Sequence, residues 1–146
     1  YQLTFTDITR PELGGTISTL LEGTEGCEML DNMCVDTLGR IILQEDVGND
    51  VRLGKVWDLN PATGALVELA AHDADRFVTG APNFLTQDEE SSGIIDVTML
   101  FKGVAGYDIA ANRYYLLTSQ AHFPIPGELI EGGQLLMMKV PNKINP

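Results

Sequence analysis

Hydrophobic and polar residues alternate in short runs along most of the chain, and glycine, proline and asparagine separate the runs. Alternation with a period of two is typical of half-buried β-strands. In the first half of the chain the pattern predicts strands at 2–6, 16–20, 33–36, 40–44, 55–59 and 65–69. In the second half it predicts strands at 93–98, 113–118 and 134–140.

Turn residues between the strands of the first half predict one antiparallel meander. A turn at Thr37-Leu38-Gly39 follows the strand at 33–36. Between 55–59 and 65–69 the chain places Pro61 and Gly64 where a tight hairpin needs a preset φ and a positive φ. Helix is scarce: we predict one turn after Asp73, which would cap it, and another at 97–101.

The second half of the chain echoes the first. The run at 93–98 resembles 33–36, the run at 113–118 resembles 40–44, and the run at 134–140 resembles 55–59. This repeat, at a spacing of roughly 60 to 75 residues, is typical of propeller blades with insertions. We therefore predict an all-β chain of propeller type, one domain over 1–146, made of four-stranded antiparallel meanders. Its blade-like units span about 1–28, 29–72 and 84–141, roughly two and a half blades of a partial propeller.

Composition limits the partners of this chain. Its 146 residues carry 21 acidic and 9 basic side chains, a net charge of −12. A phosphate backbone or an anionic membrane surface would be repelled, so we expect no nucleic-acid partner. No apolar run is long enough to span a bilayer. The charge suits a protein that binds divalent cations or works outside the cytoplasm, although solubility also explains it.

The beginning of the chain and its cysteines add two expectations. The sequence starts at Tyr1 without a methionine, which suggests a processed protein or a piece of a longer one. Cys27 and Cys34 are the only cysteines. They could form a disulfide in an oxidising compartment or remain two half-buried thiols, and their spacing leaves both options open.

An acidic triplet, Asp88-Glu89-Glu90, precedes the apolar pair Ile94-Ile95. Carboxylates at the mouth of a sheet core repel each other, and a hard cation such as calcium relieves that repulsion. A solvated acidic loop is the alternative. No nucleophile–base pair is evident, since the serines at 91–92 lack the strained turn that activates a nucleophile. His72 is expected to be exposed.

Four stretches of the chain are similar to the PhoX-type alkaline phosphatases. The run 29–46 resembles that family's blade motif, which reads "DN-apolar-x-x-D-x-x-G-x-apolar…E-D". The run 56–64 is similar to an outer-strand hairpin of the family, although that hairpin is common to many propellers. The runs 88–96 and 127–134 resemble a late blade. The likeness extends over about 11–140.

The resemblance implies a secreted, calcium-dependent β-propeller that hydrolyses phosphate esters at a metal cluster, with iron in some members. It identifies no catalytic residue. The residues that match the axial ends of inner strands, and so are implied as metal ligands, are Asp31, Asn32, Glu45, Asp46, Glu89, Glu90 and His122. A turn for 31–32 and a solvated loop for 45–46 are the alternatives.

Other features depart from the family pattern. The iron-binding cysteine motif has no counterpart. Basic residues that would hold a phosphate are few, and Arg40 and Arg113 are expected to begin strands on the outside. A chain of about two and a half blades would be a segment of an extracellular or periplasmic hydrolase, or would close a ring with other chains. The rival hypothesis is a non-catalytic, calcium-stabilised structural protein that assembles, for instance as a homo-oligomer, through exposed sheet edges.

Overall fold

The computed structural model of the chain describes residues 1–143 and contains three antiparallel sheets. The first sheet is a hairpin of β1 (Gln2–Phe5) and β2 (Gly15–Ser18). The second sheet contains, in order, β3 (Leu30–Val35), β4 (Ile41–Glu45), β5 (Lys55–Leu59) and β6 (Leu66–Ala71). The third contains β7 (Glu89–Asp96), β8 (Asn112–Pro124) and β9 (Glu131–Pro141). The short helical elements are 3-10 turns at Pro11–Leu13 and Thr98–Phe101 and the helix α1 (Ala74–Phe77).

The predicted fold class is confirmed: the chain is all-β, and its second sheet is a four-stranded antiparallel meander. The third sheet repeats the first three strands of that meander. Across residues 1–143 the three sheets do not close into a barrel. The last three residues of the predicted domain 1–146 lie outside the described residues.

Local sequence explains the tight connections. The Asn60 amide donates to the Ala65 carbonyl across the β5–β6 hairpin, and Gly64 takes a φ of 74°, a conformation that favours glycine. Asp73 caps α1 by accepting a hydrogen bond from the Asp75 amide, as predicted. β8 and β9 are longer than the sequence predicts, because their backbones remain paired beyond the last alternating residue.

The second and third sheets pack face to face around one apolar cluster. Its buried members are Ile42, Val56, Ile94, Tyr115, Leu117 and Val140. The opposite face of the second sheet buries a second cluster of Cys27, Leu43, Trp57 and Leu59, covered by Leu20 and Leu21. Cys34 packs against the first cluster and Cys27 belongs to the second, and both are free thiols. Burial raises the pKa of Cys34 to about 11, so this thiol is unreactive at neutral pH.

One end of the space between these sheets holds a buried network of charges. Arg113 donates to Asp36 at 2.5 Å and to Asp58 at 2.9 Å, and Tyr115 donates to Asp36 at 2.7 Å. Arg40 donates to Asp58 at 2.6 Å from the solvent side. The prediction that Arg113 begins a strand on the outside is wrong, since this residue is 1% exposed. Arg113 and Tyr115 share the face of β8 that packs on the second sheet, so both meet its carboxylates.

Candidate functional site

Acidic residues gather at the other end of the two sheets. The pairing of Leu30 with Glu45 and of Glu89 with Ala121 puts the beginnings of β3 and β7 and the ends of β4 and β8 there. Asp46, just after β4, forms an isolated β-bridge with Glu90, which joins the two sheets. We call this region, with Asp31, Asp46, Glu89 and Glu90, the acidic end.

Asp46 and Glu90 form a carboxyl pair at the acidic end. Burial raises the pKa of Glu90, and so do its hydrogen bond with the Asp46 carboxylate and the negative charges of Asp46 and Asp31. No lysine or arginine within residues 1–143 forms a salt bridge with either member of the pair. The pair therefore favours one bound proton, or a cation in its place.

The raised pKa predicts how Glu90→Gln changes stability with pH. Above the ordinary glutamate pKa of about 4.3, unfolding releases the proton that folded Glu90 retains, so the wild type loses stability as pH rises towards the folded pKa. Glutamine donates to Asp46 without titrating. We expect Glu90→Gln to unfold at a higher urea concentration than the wild type at pH 7, and the advantage to shrink at pH 4. An equal difference at both pH values would contradict this.

Glu45, predicted as a ligand, faces the other side of the second sheet, together with Trp57. Its carboxylate accepts hydrogen bonds from Arg52 at 2.7 and 3.0 Å, from the Trp57 indole at 2.9 Å and from the Glu28 amide at 3.0 Å. Burial opposes ionisation of Glu45, but these hydrogen bonds outweigh it and hold its pKa below the ordinary value. The structure does not bring this carboxylate to the Asp46–Glu90 pair.

The remaining predicted ligands differ in their surroundings. Glu89 is 1% exposed and accepts a hydrogen bond from the Gly54 amide at 3.2 Å. The Asn32 side chain donates to Asp31 at 2.7 Å. His122 Nδ1 lies 2.7 Å from Glu131, and this hydrogen bond raises the pKa of His122, whose charge acts on Glu90. Asp31 and His122 thus lie near the pair.

The described residues do not assemble a metal-binding cluster of side chains. Within 1–143, no three His, Cys, Asp or Glu side chains are grouped closely enough to hold a metal ion. The carboxylates that do meet offer oxygen donors, which calcium prefers.

His72 is a site residue that the sequence did not reveal. Predicted as exposed, its side chain is 12% exposed and packs against the Phe77 ring at 5.4 Å between centroids. Its Nε2 lies 3.3 Å from Ser91 Oγ and 3.4 Å from Ser119 Oγ, and its Nδ1 lies 3.6 Å from Glu89. The contacts come from β7 and β8, distant in sequence from residue 72, so local pattern could not have found them.

The chain is all-β, and its antiparallel sheets are blade-like. Carboxylates from two of these sheets meet at the acidic end. No protein-family model matches the chain, and no curated protein or solved structure shows a significant match to it. Over residues 1–143, the structure has no helix with the length and apolar character needed to cross a bilayer.

Proposed function

We propose that this chain is part of a calcium-dependent phosphoric ester hydrolase of the PhoX-like type that works outside the cytoplasm. The observation that supports the proposal is the meeting of Asp46 and Glu90, carboxyl groups from separate sheets, at one point. Two carboxylates with no lysine or arginine salt-bridge partner among the described residues concentrate negative charge, and a divalent cation offsets that charge.

The oxygen donors of the acidic end suit calcium, but the described residues do not complete its coordination shell. Asp46 and Glu90 would hold the ion, with Asp31 and Asn32 as the next oxygen donors nearby. A calcium ion takes about six to eight oxygen ligands, so water, the substrate phosphate or other parts of a complete propeller would supply the rest. Iron, implied by the same resemblance, remains a prediction.

The residues of the chain and the ion would have separate roles. Calcium, when bound, would supply positive charge that polarises a phosphoryl group. The hydrogen bond with Glu131 raises the pKa of His122, and the positive charge of protonated His122 acts on Glu90. In its protonated form, His122 would add positive charge beside a bound phosphoryl group.

A charge-matched pair of double variants tests this proposal. We expect calcium chloride to raise the midpoint of thermal unfolding of the wild type, by an amount that corresponds to about 2.7 kcal/mol when calcium is at 100 times its Kd. Asp46→Asn with Glu90→Gln should abolish the increase. The control, Glu12→Gln with Glu128→Gln, removes two exposed charges elsewhere and should keep it. Calcium-dependent hydrolysis of p-nitrophenyl phosphate should likewise be lost in the first double variant and kept in the control. Equal calcium responses in the two double variants would contradict the proposal.

A second function, assembly through sheet edges, is favoured by the third sheet. β9 is an 11-residue edge strand with exposed Leu135, Leu136 and Met137. Exposed apolar edge strands pair readily with strands of other chains. In this case calcium would only stabilise the fold, and β9 would bind another copy of the chain. In the experiment above, a large species on gel filtration that is inactive and loses thermal stability in chelator would support assembly over hydrolysis.

A further inference from the structure

The space between the sheets at the acidic end contains a carboxylate, an imidazole and a hydroxyl in sequence. Glu89 lies 3.6 Å from His72 Nδ1, and His72 Nε2 lies 3.4 Å from Ser119 Oγ. Among residues 1–143, neither His72 Nδ1 nor Glu89 Oε2 has a hydrogen-bond partner within bonding distance. Nucleophilic catalysis uses this order of groups, and such contacts are often longer than about 3.2 Å before a substrate binds.

A cavity of about 410 Å³ gives access to this group. His72, Ser119 and Arg76 provide its polar wall, and Leu85, Phe123 and Leu136 provide its apolar wall. Gly133 also lines the cavity, and a side-chain carbon there would lie 3.1 Å from the Ser119 carbonyl, closer than ordinary van der Waals contact. The volume lies within the range of small-molecule sites, about 300–1,000 Å³.

We propose that Ser119, His72 and Glu89 form a metal-independent nucleophilic site that hydrolyses small carboxylic esters. Ser119 is the nucleophile, His72 is the general base, and Glu89 holds the imidazole and stabilises its charged form. The apolar wall takes a short acyl chain. The proposal goes beyond calcium-dependent phosphate ester hydrolysis and assigns Glu89 to His72 instead of to a metal.

Hydrolysis would proceed through an acyl–serine ester, and His72 would carry the proton in each half of the reaction. Ser119 Oγ attacks the ester carbonyl carbon while His72 Nε2 accepts the hydroxyl proton. The bond to the leaving alcohol oxygen then breaks, and that oxygen takes the proton from His72. Water, deprotonated by His72, attacks the acyl–serine ester; the proton returns to Ser119 Oγ and the carboxylic acid leaves.

Ser91 provides a matched control, because its hydroxyl lies 3.3 Å from the same His72 nitrogen. Ser91 is 2% exposed and does not line the cavity, whereas Ser119 does. If His72 only ties the two sheets together, the two serines should be equivalent. If the site is catalytic, only Ser119 can meet a substrate.

The experiment uses the full chain in excess chelator, with p-nitrophenyl butyrate as substrate and a fluorophosphonate as covalent probe. We expect esterase activity and one probe adduct, located at Ser119 by peptide mass spectrometry. Ser119→Ala and His72→Gln should each lower kcat/KM by at least about 100-fold, while Ser91→Ala retains most of it. Circular dichroism of every variant checks folding.

Several results would overturn the proposal. They are the absence of a Ser119 adduct in the folded wild type, equal losses in Ser119→Ala and Ser91→Ala, or the absence of esterase activity in chelator. The adduct is mapped on the wild type, so this test stands even if a variant fails to fold. Because chelator is present throughout, a failure here leaves the calcium-dependent proposal untouched, and the reverse also holds.

Discussion

Replacing Arg113 with methionine is expected to lower the free energy of unfolding by about 3–5 kcal/mol, the usual cost of removing one partner of a buried ion pair. Asp36 and Asp58 are both fully buried at their side chains, and Arg113 donates to each of them. Methionine fills much of the same volume, so the loss of stability comes mainly from the two buried carboxylates that no longer receive hydrogen bonds from Arg113. Asp58 keeps its bond to Arg40, whereas Asp36 loses its charged partner.

Urea unfolding at pH 7 measures this effect, with Arg10→Met as the control. Arg10 is 60% exposed at its side chain, and its one ion-pair partner within residues 1–143 is the exposed Glu12, so its replacement should change stability by less than about 0.5 kcal/mol. Adding Asp36→Asn to Arg113→Met should cost less than the sum of the two single changes. A loss below about 1 kcal/mol for Arg113→Met would contradict a structural role for the network.

The loss of stability in Arg113→Met should depend on pH. Burial opposes ionisation of Asp36, but hydrogen bonds from Arg113 and Tyr115 hold its pKa below the ordinary value. Its contribution to stability is therefore present above the unfolded pKa of about 3.9 and is lost as pH falls through the lower, folded pKa. The deficit of Arg113→Met relative to the wild type should accordingly shrink in acid.

Replacing Glu45 with alanine is expected to lower the free energy of unfolding by about 3 kcal/mol. The change leaves the buried Trp57 indole N–H without its acceptor and takes the carboxylate away from Arg52, which keeps its bond to the Gly26 carbonyl and its looser contact with Glu28. An unsatisfied buried donor costs about 1–3 kcal/mol. Glu45→Gln keeps an acceptor for Trp57 and should lose only about half as much. Urea unfolding of both variants measures the effect.

Calcium distinguishes the structural role of Glu45 from its predicted role as a ligand. If Glu45 anchors Arg52 and Trp57, Glu45→Gln should keep the full thermal stabilisation by calcium that the wild type shows. If Glu45 binds the ion, that stabilisation should fall together with the stability. Equal stability of the wild type and Glu45→Ala would contradict the anchoring role.

Local sequence determined the strands, the turns and the all-β class, because alternation and turn residues act over a few neighbouring positions. The hairpin at Asn60–Gly64 and the cap at Asp73 are examples, since each depends on contacts within a few residues. The concentration of carboxylates at strand ends could also be read from the sequence, together with the hypothesis of a shared cation.

Which carboxylates meet was decided only by the tertiary structure. Pairing of the sheets brings Asp46 to Glu90 but turns the neighbouring Glu45 towards Arg52 and Trp57, because successive side chains of a strand point to opposite faces. Arg113 became a buried partner of Asp36, and His72 a partner of Ser119, across 77 and 47 positions of sequence. Such contacts depend on how two sheets pack, and no local pattern carries that information.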